Sequence, residues 1–206
     1  MEVEVKLRLP DSAAHQSLSS VLSPFLRRTH FQHNVFFDGA NSELSALRAV
    51  LRLRFYGEDP QTAERCVSSL KAKAILVNGV SRVEEDEEDV DPCVGREIWA
   101  NPNLIGSSDS RVLKRVKEEF GVKDESGYVC LGGFKNVRGV YEWKGLTLEV
   151  DETLFDFGTL YEIECESSEP DKAKEMIEEL FKDNGIPYSC SKMSKFAIFR
   201  SGELPL

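Results

Sequence analysis

The sequence lacks most of the features that would place it in a common class. It has no basic surplus: 26 Lys and Arg against 36 Asp and Glu give a formal net charge of −10, so no nucleic-acid partner is expected. No apolar run approaches the roughly 20 residues of a membrane span, and the amino terminus is acidic from Glu2 onward, unlike a secretory or transit leader. A cytoplasmic protein without a membrane partner is expected. The five cysteines (Cys66, Cys93, Cys130, Cys165 and Cys190) are odd in number and scattered, which points to reduced packing residues in place of a disulfide framework or a CxxC zinc site. His30 and His33 have no partner at ligand spacing. The chain contains no GxxxxGK[ST], no GxSxG and no zincin motif, which removes the usual nucleotide, serine-hydrolase and zinc-protease readings. Internal repeats and low-complexity linkers are also absent, and 206 residues suit a single domain over 1–206.

What the sequence does have is alternation. "EVEVKLRL" sets Glu2, Glu4, Lys6 and Arg8 against Val3, Val5, Leu7 and Leu9, the period of a strand with two unlike faces. The stretch 28–38, "AVLRLRFY", "RCVSSLKAKAIL" and "VSRVEEDEEDV" read as further strands, the last two joined by the hairpin signal Asn78-Gly79. Three more are expected at about 130–143, at "LTLEVDE" and at "LYEIECE", the last pair turning near "FDFG". Helical spacing marks three helices: one after Pro10 capped by Asp11 or Ser12, one over "SDSRVLKRVKEEFG" ending at Gly121, and one over "SEPDKAKEMIEELFKDNG". Residues 91–107, with two prolines and two glycines, read as a loop.

Charges recur at a spacing of two on six strands: Glu2/Glu4/Lys6/Arg8, Arg52/Arg54, Lys71/Lys73, Arg82/Glu84/Asp86, Glu149/Asp151 and Glu162/Glu164/Glu166. A face built only for water mixes its signs, because like charges close together repel. These faces group like with like, so something must compensate them. Each helix also carries one apolar stripe that needs an apolar sheet face. The economical solution is an α+β fold: a closed eight-stranded antiparallel barrel with helices outside and the charged faces lining the lumen. Such a lumen is too costly to leave uncompensated. Arg52, Arg54, Lys71, Lys73 and Arg82 suit phosphate oxygens. Glu2, Glu4, Glu162 and Glu164 suit a hard divalent cation, Mg²⁺ or Mn²⁺.

With those faces in view, "EVEVK" resembles the ExExK signature of the CYTH superfamily, the triphosphate tunnel metalloenzymes. "LRLR", "LKAK", "SRVEEDE", "LEVDE", "YEIECE" and "SKFAIF" follow as the family's further motifs in the expected order, and the wording is nearest the plant inorganic tripolyphosphatase branch. The resemblance implies a triphosphate tunnel. Glu2, Glu4 and Glu164 would hold the first metal, with Glu149, Asp151 and Glu162 completing the acidic side. Lys6, Arg52, Arg54, Lys71, Lys73 and Arg82 would grip phosphate oxygens, and Lys195 would close over the substrate. Arg138 is either a further phosphate ligand or a structural salt bridge. After Arg82, strict alternation selects Glu84 and Asp86 as metal ligands, whereas a bulge would turn Glu85 and Glu87 inward.

The expected function is metal-dependent hydrolysis of inorganic tripolyphosphate to pyrophosphate and phosphate, with Glu2 or Glu4 near the attacking water. Alternatives within the family are a thiamine triphosphatase and an adenylyl cyclase. Outside catalysis stands a polyphosphate binder. The expected partner is a small-molecule triphosphate, and a closed barrel without a free sheet edge favours a monomer.

Overall fold

The computed structural model describes residues 1–122 and 127–205. Eight long strands are present: β1 (Glu2–Leu9), β2 (Leu26–Gly39), β3 (Ala49–Tyr56), β4 (Arg65–Val77), β5 (Val80–Val90), β6 (Tyr128–Trp143), β7 (Leu146–Phe155) and β8 (Gly158–Glu166). A two-residue strand, β9 (Ser189–Cys190), adds to the edge of β1. The hydrogen-bonded order is β5-β4-β3-β2-β6-β7-β8-β1-β9, and β5 pairs back with β1, so the strand order closes. β1 runs antiparallel to β8 and β9, β3 to β2 and β4, and β7 to β6 and β8. The fold class is α+β, a closed antiparallel β-barrel with helices, as the alternation predicts. Among the described residues no helix is long and apolar enough to cross a membrane.

The chain forms two compact units. The first contains Met1–His30, Ile75–Arg82 and Lys135–Leu206; the second contains Phe31–Ala74 and Val83–Phe134. In the first, Val5, Leu7 and Leu9 of β1, Leu148 and Val150 of β7, and Ile163 and Cys165 of β8 form one apolar face. It is covered by α1 (Ser12–Leu22), through Ala14, Leu18 and Leu22, and by α5 (Pro170–Asp183), through Ala173, Ile177 and Phe181. Asp11 caps α1, accepting from Ala14 N at 2.8 Å. Asn78 and Gly79, at φ 50° and 76°, make the β4–β5 turn; two successive left-handed residues are what a tight hairpin of matching twist needs. The Gly79 carbonyl then accepts from Lys6 N at 2.7 Å.

In the second unit, Leu51, Leu53 and Phe55 of β3 pack with Val35 and Phe37 of β2, and with Cys66, Leu70 and Ala72 of β4. Leu44 of the short helix α2 (Glu43–Ala46), Ile98 of α3 (Pro92–Ala100), and Val112, Leu113 and Val116 of α4 (Arg111–Phe120) cover this face. Fully burying each such side chain contributes roughly 1.5–3 kcal/mol. The expected loop at 91–107 is instead α3 followed by a 3-10 turn over Pro102–Ser107. The loop signals misled for a physical reason. Pro92 sits at the start of the helix, where its missing N–H costs nothing. Gly95 lies where the helix approaches the sheet so closely that a Cβ would come within 2.8 Å of Cys66 Sγ. A sixth helix, α6 (Lys195–Ser201), belongs to the first unit and is capped by Ser194.

In both units the helices lie on the apolar faces, so the alternating charged positions are the ones turned away from them.

Candidate active site

In the first unit the strand register sets unlike charges opposite each other, Lys6 against Glu164, Arg8 against Glu162 and Arg138 against Asp151. It also sets like charges opposite, Glu149 against Glu164 and Asp151 against Glu162, which would repel if left alone. The cations resolve this. Arg138 forks onto Asp151, with Nε at 2.8 Å from Oδ1 and Nη2 at 2.6 Å from Oδ2. Its Nη2 also donates to Glu164 Oε2 at 2.5 Å and its Nη1 to Glu149 Oε2. Lys6 Nζ lies 2.6 Å from Glu164 Oε1 and 2.7 Å from Glu4 Oε1. Lys195, reaching in from α6, lies 2.6 Å from Glu164 Oε1, 2.8 Å from Asp151 Oδ2 and 2.9 Å from Glu162 Oε1. Glu162 Oε2 accepts from Ser191 Oγ and, at 3.3 Å, from Arg8 Nη2. Glu2 is partly buried one alternation before Glu4.

Burial and charge compete at this cluster, and charge wins. Burial alone would raise the Asp151 carboxyl, but Arg138 and Lys195 bring it down to about 2. Glu164 is likewise held well below the usual carboxylate range, against its burial, by Lys195, Lys6 and Arg138. Burial would lower the Lys6 ammonium, yet Glu164, Glu4 and Glu162 raise it well above an ordinary lysine; Lys195 is raised against its burial by Asp151, Glu162 and Glu164. Asp151, Glu164, Lys6 and Lys195 therefore keep their charges at neutral pH.

The second unit shows the opposite balance. Arg52 and Arg54 lie on the polar face of β3. Arg54 Nε donates to Asn34 Oδ1 at 2.8 Å. Arg52 Nη2 lies 3.2 Å from Glu87 Oε1 and 3.9 Å from Glu85 Oε1, and Lys71 Nζ 3.2 Å from Glu85 Oε2. Burial, with Arg54 beside it, pushes the Arg52 guanidinium down to about 10; Glu85 and Glu87 offset this only in part. Its Nε is buried without a hydrogen-bond partner among the described residues, as is the hydroxyl of Ser69, its register partner on β4.

The expected site residues fall into two sets, one in each unit. Glu4, Lys6, Arg138, Glu149, Asp151, Glu162, Glu164 and Lys195 come together in the first unit, and Arg52, Arg54 and Lys71 in the second. Lys73 leaves the Lys71 face: its φ of 54° breaks the alternation of β4, and its side chain is 73% exposed beside Glu84 at 3.1 Å. Glu84 and Asp86, expected as metal ligands by strict alternation, correct to Glu85 and Glu87 as the carboxylates on the Arg52 face. Asp86 instead binds Arg111 at 2.5 Å and Arg115 at 2.6 Å on α4, and Glu88 accepts from Ser110 Oγ at 2.7 Å and Val112 N at 3.1 Å at the start of that helix. Asp86 and Glu88 of β5 thus serve the helix. Arg82 is exposed and belongs to the first unit. Arg138, expected either as a phosphate ligand or as a salt bridge, has all three guanidinium nitrogens engaged by carboxylates. Alternation placed Arg8 and Ser69 on the charged faces but gave neither a role in the site. Sequence reasoning missed Asn34 and Ser191: Asn34 was hidden among the aromatic residues of β2, and Ser191 lies in a segment without periodicity.

Residues 1–197 match the model of the CYTH domain. The chain belongs to this family. A protein from the plant Hippeastrum, described as an adenylyl cyclase candidate with a dominant triphosphatase activity, is 53% identical, with a TM-score of 0.95 over 100% of this chain and 98% of that one. A Bacillus halodurans adenylate cyclase candidate shares the fold at 18% identity and a TM-score of 0.73, covering 97% of this chain and 96% of that one. A Pyrococcus horikoshii protein does so at 18% and 0.62, covering 98% and 100%. No curated protein matches the chain.

CYTH membership implies a divalent metal, and the donor chemistry of the first unit fits one. Its ligand set is all carboxylate oxygen, a hard donor. The nearby thiol of Cys165 is buried, which pushes it up to about 11 and keeps it from competing as a thiolate. Among the described residues, no group of three acidic, histidine or cysteine side chains is arranged as an open metal cage; the carboxylates are closed around the ammonium and guanidinium groups described above.

Proposed function

We propose that this CYTH protein is a metal-dependent hydrolase of inorganic tripolyphosphate, releasing pyrophosphate and phosphate by attack of water on a terminal phosphorus. The observation that carries the reading is Arg52. A guanidinium whose buried Nε has no partner among the described residues, beside a Ser69 hydroxyl in the same state and a second arginine, is a donor set that an anion completes. The carboxylate surplus of the first unit supports the metal half of the reading. There Glu4, Glu149, Asp151, Glu162 and Glu164 outnumber Lys6, Arg8, Arg138 and Lys195. The triphosphatase activity described for the Hippeastrum relative supports the substrate class.

Glu2, Glu4 and Glu164 would hold the metal, Mg²⁺ or Mn²⁺. When bound, that ion supplies charge neutralisation at phosphate oxygens. In the second unit, Arg52, Arg54 and Lys71 supply the groups that bind and orient phosphate. In the first, Glu2 or Glu4 lies near the attacking water, and the fixed charges of Lys6 and Arg138 hold the carboxylates in place. Little covalent work remains for the protein beyond positioning and charge stabilisation. The reading includes a cytoplasmic monomer; five free cysteines suit a reducing compartment, and the closed strand order leaves no long unpaired edge.

The test is phosphate release from tripolyphosphate, ATP and thiamine triphosphate, each with Mg²⁺, with Mn²⁺ and with chelator, on the natural protein and on Glu4→Gln. Metal-dependent release fastest from tripolyphosphate and abolished by Glu4→Gln is expected. No release from any substrate would overturn the hydrolase reading, and release of pyrophosphate from ATP with a cyclic product would move it to the cyclase that the Hippeastrum protein's description also names.

A further inference from the structure

The ammonium of Lys195 is 2.6 Å from Glu164 Oε1, 2.8 Å from Asp151 Oδ2 and 2.9 Å from Glu162 Oε1. An ammonium has three N–H donors, and here each faces a different carboxylate. The Glu164 oxygen it touches also takes Lys6 at 2.6 Å, and the other Glu164 oxygen takes Arg138 at 2.5 Å. Three hard oxygens gathered around one positive centre reproduce, with an organic cation, the environment a small divalent ion seeks.

The members of this cluster are not held alike. Lys6, Arg138, Asp151, Glu162 and Glu164 all stand on strands in paired register. Lys195 alone comes from outside the sheet, at the first position of the seven-residue helix α6. Its flexible four-carbon stem lets the charge withdraw while the helix stays seated through buried Ile198.

We propose that Lys195 is a resident counter-ion of the carboxylate cluster, neutralising Glu164, Asp151 and Glu162 when metal is absent and competing directly with a divalent metal for Glu164, the carboxylate that both would contact. This rests on the metal reading given above. Metal binding then requires the ammonium to leave Glu164, so the ion alone binds weakly. Any anion that receives the displaced ammonium strengthens metal binding, a coupling that runs equally in both directions. The cluster is thereby never left as a set of buried, unpaired carboxylates, which would be strongly destabilising.

The test is Mn²⁺ binding without substrate, followed by electron paramagnetic resonance and calorimetry on the natural protein, Lys195→Met and Lys195→Arg, with thermal midpoints measured with and without Mn²⁺. Lys195→Met is expected to bind Mn²⁺ about tenfold more tightly, equivalent to 1.4 kcal/mol. Its midpoint should be lower than that of the natural protein without metal and should rise more on Mn²⁺ addition. Lys195→Arg, which keeps the charge, should bind Mn²⁺ as the natural protein does. If Lys195→Met does not fold, Lys195→Gln, which keeps donors without charge, carries the same expectation. Equal or weaker Mn²⁺ binding by the uncharged variants, with the natural protein binding Mn²⁺, overturns the counter-ion role and leaves the metal reading standing. No Mn²⁺ binding by any of them overturns both.

Discussion

Replacing Arg138 with Met keeps most of the apolar stem and removes a charge held by three carboxylates. Arg138 is 8% exposed. It supplies two hydrogen bonds to Asp151, one to Glu164 and one to Glu149. After its removal Lys195 still faces Asp151 Oδ2 and Glu164 Oε1, and Lys6 still faces Glu164 Oε1, so Asp151 Oδ1 and Glu164 Oε2 lose the contacts that Arg138 gave them. Removing one partner of a buried ion pair typically costs about 3–5 kcal/mol, because an uncompensated charge remains. In a protein of this size each kcal/mol moves the thermal midpoint by about 2–4 °C, so a fall of about 6–20 °C is expected. Calorimetric or circular-dichroism melts at pH 7 would measure it. Arg111→Met, which removes an exposed guanidinium from Asp86, serves as the control and should show no comparable loss. Adding Asp151→Asn to Arg138→Met should restore part of the stability, since it removes one of the stranded charges; the two changes share a contact and are not additive. A loss under about 1 kcal/mol for Arg138→Met, the scale of a surface pair, would refute the reasoning by showing that the carboxylates are hydrated.

Two further predictions concern pH and register. Asp151, at about 2, and Glu164, held well below its usual range, contribute stability that is present above the ordinary carboxylate pKa of about 4 and is lost as pH falls through the folded values. Lys6 and Lys195 are raised, so their contribution is full below the ordinary lysine pKa of about 10.4 and fades as pH rises beyond it. Thermal midpoints should therefore form a plateau across neutral pH with losses on both flanks, and a maximum at either flank would contradict the cluster as described. On β5, Glu85→Gln removes a carboxylate from beside Arg52 and Lys71 and should shift KM for tripolyphosphate, whereas Glu84→Gln touches only exposed Lys73 and should leave kcat and KM as they are. The reverse ranking in steady-state kinetics would put the even face of β5 at the site.

Much of the fold was legible because period-two alternation survives any tertiary context in which one face is apolar. β1, β3, β7 and β8 follow it residue by residue, and the three long amphipathic helices were marked by spacing and caps. The reading failed where a local feature changed meaning in three dimensions. Pro92 and Gly95 signal a loop in isolation, but one starts a helix and the other lets that helix approach Cys66. Lys73 matches the LKAK pattern, yet a left-handed backbone at that residue turns its side chain to solvent. The acidic run of β5 gives no internal clue to its register, since every position from Glu84 to Asp89 is a carboxylate. Which of them faces Arg52 depends on the placement of Arg111 and Arg115 on a helix some 25 residues later.

By itself, the sequence determined the composition of the two charged surfaces. Acidic and basic side chains at every second position, with aliphatic residues between them, can satisfy both faces only in a sheet covered on one side. Only the tertiary structure decided how those charges are spent. Strand register set Lys6, Arg8 and Arg138 opposite carboxylates, and α6 delivered Lys195 to three of them. The second unit, by contrast, keeps Arg52 and Ser69 with buried donors unpartnered among the described residues. Alternation places a side chain on a face, but whether its charge is neutralised depends on which groups lie within about 4 Å, where Coulomb attraction is strong enough to compete with desolvation. For this chain those groups come from strands and a helix far apart in sequence.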